Sequence, residues 1–105
     1  MDIDARRVEE LRQEGSIQLI DVREPHEWEA GHIEGARWLP MADLATQAET
    51  LDCAVPIVFY CRVGGRSAMA AHAFRRAGYD AYTMTGGLVE WEASGLPLDG
   101  YVAEH

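Results

Sequence analysis

The sequence predicts an α/β protein with an open, mainly parallel sheet covered by helices on both faces. Three observations predict it. Short runs of apolar, β-branched and aromatic residues alternate with segments of helical periodicity, which is the pattern of consecutive βαβ units. One of these runs, "PIVFY" at residues 56–60, is apolar throughout, as expected of a strand buried on both faces of a parallel sheet. The chain has 105 residues, 48% of them hydrophobic and 26% charged, which is enough for one core without metal or disulfide staples. A single domain over residues 1–105 is therefore expected.

Taken in order, residues 4–15 ("DARRVEELRQEG") read as a first helix, with Asp4 as N-cap, Gly15 as the stop and Val8 and Leu11 as its apolar stripe. Residues 17–22 ("IQLIDV") form a strand ending at charged residues. A short helix follows from Pro25, which is tolerated in a first turn, and Gly31 ends it. Residues 35–40 ("GARWLP") supply a further strand closed by Pro40, and Met41, Leu44, Ala48 and Leu51 then space one face of a helix. After the central strand comes a helix over residues 66–78, with Met69, Ala73, Phe74 and Ala77 expected inward. Residues 80–84 ("DAYTM") form the next strand, and "GGLVEWEASG" a last helix with Leu88 and Trp91 on its inner face.

Charge and cysteine content narrow the function classes. There are nine basic residues, all arginine, against eighteen acidic ones, a formal net charge of −9. Nucleic-acid and anionic-membrane partners need basic surfaces, so neither is expected. No apolar stretch is long enough for a membrane span, and the charged N-terminus has no apolar core of a secretion signal. The two cysteines, Cys53 and Cys61, form no C-x-x-C and no zinc-type cluster. No metal site is expected, and a reducing, cytoplasmic setting with free thiols is.

The sharpest local signal is "CRVGGRS". Cys61 follows the central strand directly, and ligands in open parallel sheets bind at the carboxyl ends of strands. The chain must then curl into a helix within a few residues. Gly64 and Gly65 permit positive φ and leave room for close approach, so successive N–H groups can turn inward as an anion-binding nest at a helix N-terminus. Such a bowl stabilises a thiolate, the nucleophilic form of cysteine. Arg62 and Arg66 add positive charge for an anionic substrate. Core packing alone gives no reason for arginines on both sides of a Gly-Gly, so a reactive thiol is favoured over a packed one.

These residues also carry a resemblance. "CRVGGRS" resembles the C-x-x-G-x-R loop of the rhodanese-like domains, "LIDVREPHEWEAGHIEGARWLP" is similar to their Asp-Val-Arg…Gly-His-Ile…Gly-Ala stretch, and "MTGGLVEWEASGLPL" to their closing Gly-Gly…Trp…Gly-x-Pro. The three segments run from Leu19 to Leu98 in the family's order. The resemblance implies a three-layer α/β/α sandwich on an open five-stranded sheet. It also implies thiosulfate sulfurtransferase chemistry through a Cys61 persulfide, without a cofactor. By position, the amides of Arg62, Val63, Gly64, Gly65 and Arg66 would cradle the sulfur, and Arg62 could meet the sulfonate of thiosulfate. Two roles stay open for Arg66: bracing the loop by pairing with Asp21, or touching substrate. Asp21 and Arg23 are expected to support the sheet and loop.

The expected partners are a small sulfur donor and a thiol acceptor, including a thioredoxin-like or other sulfur-acceptor protein. A monomer or weak dimer is expected. His32 is expected to be structural, His26 and His72 solvent-facing or partly packed, and His105 simply terminal. Trp28 and Trp91 are expected to pack helices on the sheet, and Cys53 to be an incidental loop thiol. Two other readings compete: a carrier or interaction module within a larger sulfur-trafficking pathway, and a phosphatase or arsenate reductase. Rhodanese-like cell-cycle phosphatases use C-x5-R; the C-x4-R of Cys61 to Arg66 makes a smaller bowl, suited to one sulfur atom.

Overall fold

The computed structural model describes residues 1–103. Strand β1 (Asp2–Ile3) leads into helix α1 (Ala5–Glu14), followed by β2 (Gln18–Asp21), α2 (Pro25–Ala30), β3 (Gly31–His32) and β4 (Arg37–Trp38). Then come α3 (Leu44–Gln47), β5 (Ile57–Tyr60), α4 (Gly65–Arg76), β6 (Ala81–Met84), α5 (Gly87–Ala93) and β7 (Asp99–Gly100). Five strands form one sheet in the order β1-β6-β5-β2-β4, and each of its four pairings is parallel. The pair β3–β7 forms a separate antiparallel ribbon. Strand β1 was not legible as a strand: it has two residues, and it is defined by pairing with Thr83 and Met84 of β6, far away in sequence.

The central strand β5 is buried along its whole length, as its apolar run predicts. Ile57 and Phe59 face one layer, with Ala70, Ala71 and Phe74 of α4 and Leu44 of α3. Val58 and Tyr60 face the other, with Val8 of α1 and Leu88 and Trp91 of α5. The result is the α/β/α sandwich. Asp4 caps α1 by accepting from the Arg7 amide at 2.8 Å, and Gly15 ends it in the left-handed region at φ 70°.

Two elements depart from the sequence reading. Residues 41–50 form a 3-10 turn, the single turn of α3 and a second 3-10 turn rather than one helix. Thr46 and Thr50 each donate a hydroxyl to the carbonyl three residues back, competing with regular helical bonding, yet Leu44 and Leu51 still reach the core. On α4 the inward face is Ser67, Ala70, Ala71 and Phe74, while Ala73 and Ala77 are exposed and Met69 is 67% exposed. Phe74 faces inward as expected, Met69 faces out, and the small residues Ser67, Ala70 and Ala71 let the helix backbone approach the sheet.

Candidate active site

Side-chain alternation along β5 sends Ile57, Phe59 and then Cys61 to the α4 side of the sheet. Cys61 therefore arrives at the carboxyl end of the central strand, directly beneath the start of α4. The turn between them depends on Gly64, whose φ of 111° and ψ of −11° suit glycine alone. Gly65 is already helical and does not have a positive φ, so only one of the two glycines is needed for its conformation.

The thiol is 1% exposed. Its Sγ accepts from the amide of Gly64 at 3.1 Å and from the amide of Ser67 at 3.4 Å. Two backbone dipoles and the N-terminus of a twelve-residue helix thus favour negative charge on the sulfur. Of residues 62–66, only Gly64 reaches Sγ; the second donor is Ser67, one residue past the expected stretch. The helix starts at Gly65, so its third amide is the one that lies over the sulfur.

The next helix holds the loop in this attitude. At the start of α5 the amides of Leu88 and Val89 donate to the carbonyls of Cys61 and Arg62 at 2.9 and 3.0 Å. Gly87 lies so close that a Cβ there would sit 2.5 Å from both carbonyl oxygens. With those carbonyls turned toward α5, planar peptides direct the following amides the other way. Arg62 is half-buried, with its Nε donating to the Ala103 carbonyl at 3.2 Å, and Val63 stands exposed at the rim.

Arg66 does not pair with Asp21. It makes a two-pronged ion pair with Glu27 of α2, Nη1 to Oε1 at 2.7 Å and Nη2 to Oε2 at 3.0 Å. Asp21 is already engaged: Arg23 donates to it from its backbone amide, Nε and Nη2 at 2.7–3.0 Å, and both side chains are fully buried. Arg23 Nη2 also donates to the Gly31 carbonyl at 2.6 Å, tying the end of β2 to β3. Burial pushes the Glu27 carboxyl up, but the hydrogen bonds from Arg66 and the Glu24 amide, with the charges of Arg66 and Arg23, outweigh it and hold Glu27 at about 2. Glu27 was missed in the sequence. Its one visible signal is its place three residues after Glu24, with which it forms a capping box.

The remaining candidates lie around this centre. His32 stacks on Trp28 with ring centroids 3.6 Å apart, and its Nδ1 lies 2.9 Å from the Trp28 carbonyl. Trp91 is buried beneath α5, with its Nε1 donating to the Pro97 carbonyl. Trp28 is partly buried and stacks on Trp38. His26 and His72 are exposed; His105 lies outside the described residues. Cys53 is a free, exposed thiol. Among the described residues, no cluster of His, Cys, Asp and Glu could hold a metal ion, and no helix is long and apolar enough to cross a membrane.

The family model of the rhodanese-like domain matches residues 4–94. The chain belongs to the rhodanese-like domain family. It is 33% identical over 88 residues to the thiosulfate sulfurtransferase GlpE of Pseudomonas aeruginosa, covering 83% of this chain and 79% of that protein. It is 41% identical over 91 residues to an HTH-type transcriptional regulator of Mycobacterium tuberculosis, covering 84% of this chain but only 40% of the regulator. The crystal structure of a rhodanese-related protein from Thermoplasma volcanium superposes with a TM-score of 0.86 at 27% identity, covering 92% of this chain and 95% of that one. Rhodanese-like domains thus occur both nearly alone and as parts of longer proteins, and this one spans less than half of the mycobacterial regulator.

Proposed function

We propose that this rhodanese-like domain is a sulfurtransferase that carries sulfane sulfur on Cys61. One observation carries the reading: a buried sulfur at the end of the central strand accepts two backbone N–H bonds at the mouth of a helix. In the first step the Cys61 thiolate attacks the outer sulfur of a donor such as thiosulfate. A bond forms between Sγ and that sulfur, the sulfur–sulfur bond of the donor breaks, and sulfite leaves with the electron pair. In the second step an acceptor thiol or cyanide attacks the outer sulfur and Cys61 leaves as thiolate. Among the described residues, the amides of Val63, Gly65 and Arg66 meet no protein acceptor, and they are the donors assigned to the outer, anionic sulfur. Arg62 is assigned to the sulfonate, and Arg66, held by Glu27, to bracing the loop. The short C-x4-R bowl argues against a phosphatase. The proposed setting is reducing and cytoplasmic, with a small-molecule donor and a thiol or protein acceptor.

The test is intact-mass spectrometry. Thiosulfate should add one sulfur to the protein, cyanide should remove it, and the persulfide should map to Cys61. Cys61→Ser should abolish transfer and Cys53→Ser should retain most of it. A wild-type protein that never gains sulfur from thiosulfate or a low-molecular-weight persulfide would sink the proposal. A sulfur carrier inside a longer protein is the second reading, favoured by the 40% share of the regulator that the chain matches. It expects a Cys61 persulfide but little multiple turnover with free cyanide.

A further inference from the structure

Beneath the sulfur lies a pair of buried hydroxyls that the loop amides do not explain. Ser67 is fully buried and Thr83, on β6, is 5% exposed. Their oxygens are 2.6 Å apart, and Ser67 Oγ also lies 3.5 Å from Cys61 Sγ and 3.2 Å from the Gly64 carbonyl. A serine hydroxyl has one proton and two lone pairs, so it cannot donate to all its neighbours at once. When Cys61 is a thiol, its S–H can donate to Ser67 Oγ while Ser67 donates to the Gly64 carbonyl. When the sulfur is an anion it can only accept. The Ser67 proton then has a reason to turn toward Sγ, with Thr83 donating to Ser67 from behind. Nothing is stranded by that rotation, because the Gly64 carbonyl keeps the Ala68 amide at 3.0 Å.

We propose that Ser67, backed by Thr83, is a rotating donor that serves negative charge on Sγ itself and so assists departure of Cys61 when sulfur is handed on. The inference rests on the Cys61 persulfide reading and divides its labour. In the persulfide the charge sits on the outer sulfur and Sγ is neutral. On discharge the acceptor bonds to the outer sulfur, the bond from Sγ to that sulfur breaks, and its electron pair returns to Sγ. The Ser67 hydroxyl faces the atom that gains this charge. During loading, Sγ is the nucleophile, and a donor that stabilises the anion also makes it less reactive, so wherever the thiolate is already fully formed the donor does not speed loading. Ser67 should therefore matter more for discharge than for loading. It is a positioning residue that acts through Cys61, and the ionisable groups near the sulfur are untouched by its removal: Arg66 on α4 with Glu27 of α2, Asp21 of β2, and Arg62 in the loop.

The test uses Ser67→Ala, Thr83→Val and Thr83→Ser with two readouts. The first is the alkylation rate of Cys61 by iodoacetamide, which involves no sulfur transfer. Ser67→Ala should slow it about tenfold at pH 6.5, the order expected for one hydrogen bond to a charged group, and leave it unslowed on the high-pH plateau, where the rate no longer rises with pH. The second is single-turnover kinetics followed by mass. Discharge of the Ser67→Ala persulfide to cyanide should fall about tenfold, while loading from thiosulfate, measured where the alkylation rate has reached its high-pH plateau, should not be slowed. Thr83→Val should move both readouts the same way by a smaller factor, and Thr83→Ser should restore them. Wild-type alkylation and discharge in Ser67→Ala, with the persulfide still forming, overturn the inference and leave the sulfurtransferase reading intact. Equal slowing at pH 6.5 and on the high-pH plateau would assign Ser67 to packing and also overturn it. If no persulfide forms even in the wild type, the function fails, and the alkylation arm still decides whether Ser67 donates to the thiolate.

Discussion

Two neighbouring strands of the sheet end in the same way. β5 passes through Gly64-Gly65 into α4, and β6 passes through Gly86-Gly87 into α5. Both turns place a glycine in the left-handed region and aim a helix N-terminus across the carboxyl edge of the sheet. Their amides meet different things. Those of the first turn meet a sulfur, through Gly64 and Ser67; those of the second meet the carbonyls of Cys61 and Arg62, through Leu88 and Val89. The same local grammar thus builds a site in one place and its clamp in the other. A left-handed glycine at a strand end turns the amides that follow it across the sheet edge; what the neighbouring strand end presents decides whether they meet a reactant or another loop.

The comparison can be broken most severely at the clamp. Gly87→Ala places a Cβ 2.5 Å from two backbone oxygens at a φ of 60°. Neither oxygen can move without shifting the cysteine loop, so urea unfolding should show a loss of about 3 kcal/mol. Cys61 alkylation at pH 6.5 should slow with it. Unchanged stability and reactivity would mean that α5 does not hold the loop.

A second change separates the helices by their side chains. The first turn of α4 is anchored by Arg66 on Glu27 and that of α5 by Leu88 in the core. Glu27→Gln should cost about 2 kcal/mol at pH 7, the scale of a charged hydrogen-bonded pair with one buried partner. Glu27 is held at about 2 in the folded protein, below the ~4.3 of an unfolded chain, so its contribution is complete above the unfolded value and is lost as pH falls toward 2. Stability curves of wild type and variant should therefore converge between about pH 4.5 and pH 2. A gap that persists to pH 2 would show that the lost energy is packing and not the ion pair.

The smallest expected effect divides the first turn itself. Gly64→Ala is strained at φ 111° but meets no clash, and should destabilise by about 1 kcal/mol. Gly65→Ala meets nothing within 4 Å on an ordinary helical backbone and should stay within about 0.5 kcal/mol of wild type. Equal losses at both positions, measured by urea denaturation, would contradict the assigned turn.

Much of the molecule was legible because its signals are local. The apolar run at residues 56–60, the caps Asp4 and Gly15, and the breaks at Pro25, Pro40 and Gly31 each act within a few residues of where they stand. They delimited four strands of the sheet and most of the helices. Cys61 and its loop were legible for the same reason: a thiol, a strand end, a glycine and a helix start all lie within seven consecutive residues, 61–67. The rotation of α4 was not. Hydrophobicity favoured Met69, yet the buried face is Ser67, Ala70, Ala71 and Phe74, with the Ser67 amide on the sulfur.

The sequence by itself determined the order of the elements, the α/β class and the placement of Cys61 at the end of the central strand, because propensity, capping and the two periodicities are properties of neighbouring residues. Partnership was decided only in three dimensions. Arg66 could have met Asp21 or Glu27, and nothing in their spacing chooses. Asp21 is closed off because Arg23, two residues away, covers it from three donors, and Arg66 pairs instead with the buried Glu27. Strand β1, the grip of α5 on the loop and the contact of Ser67 with Thr83 likewise join residues that only the sheet brings together, since each depends on a distance across the fold rather than along the chain.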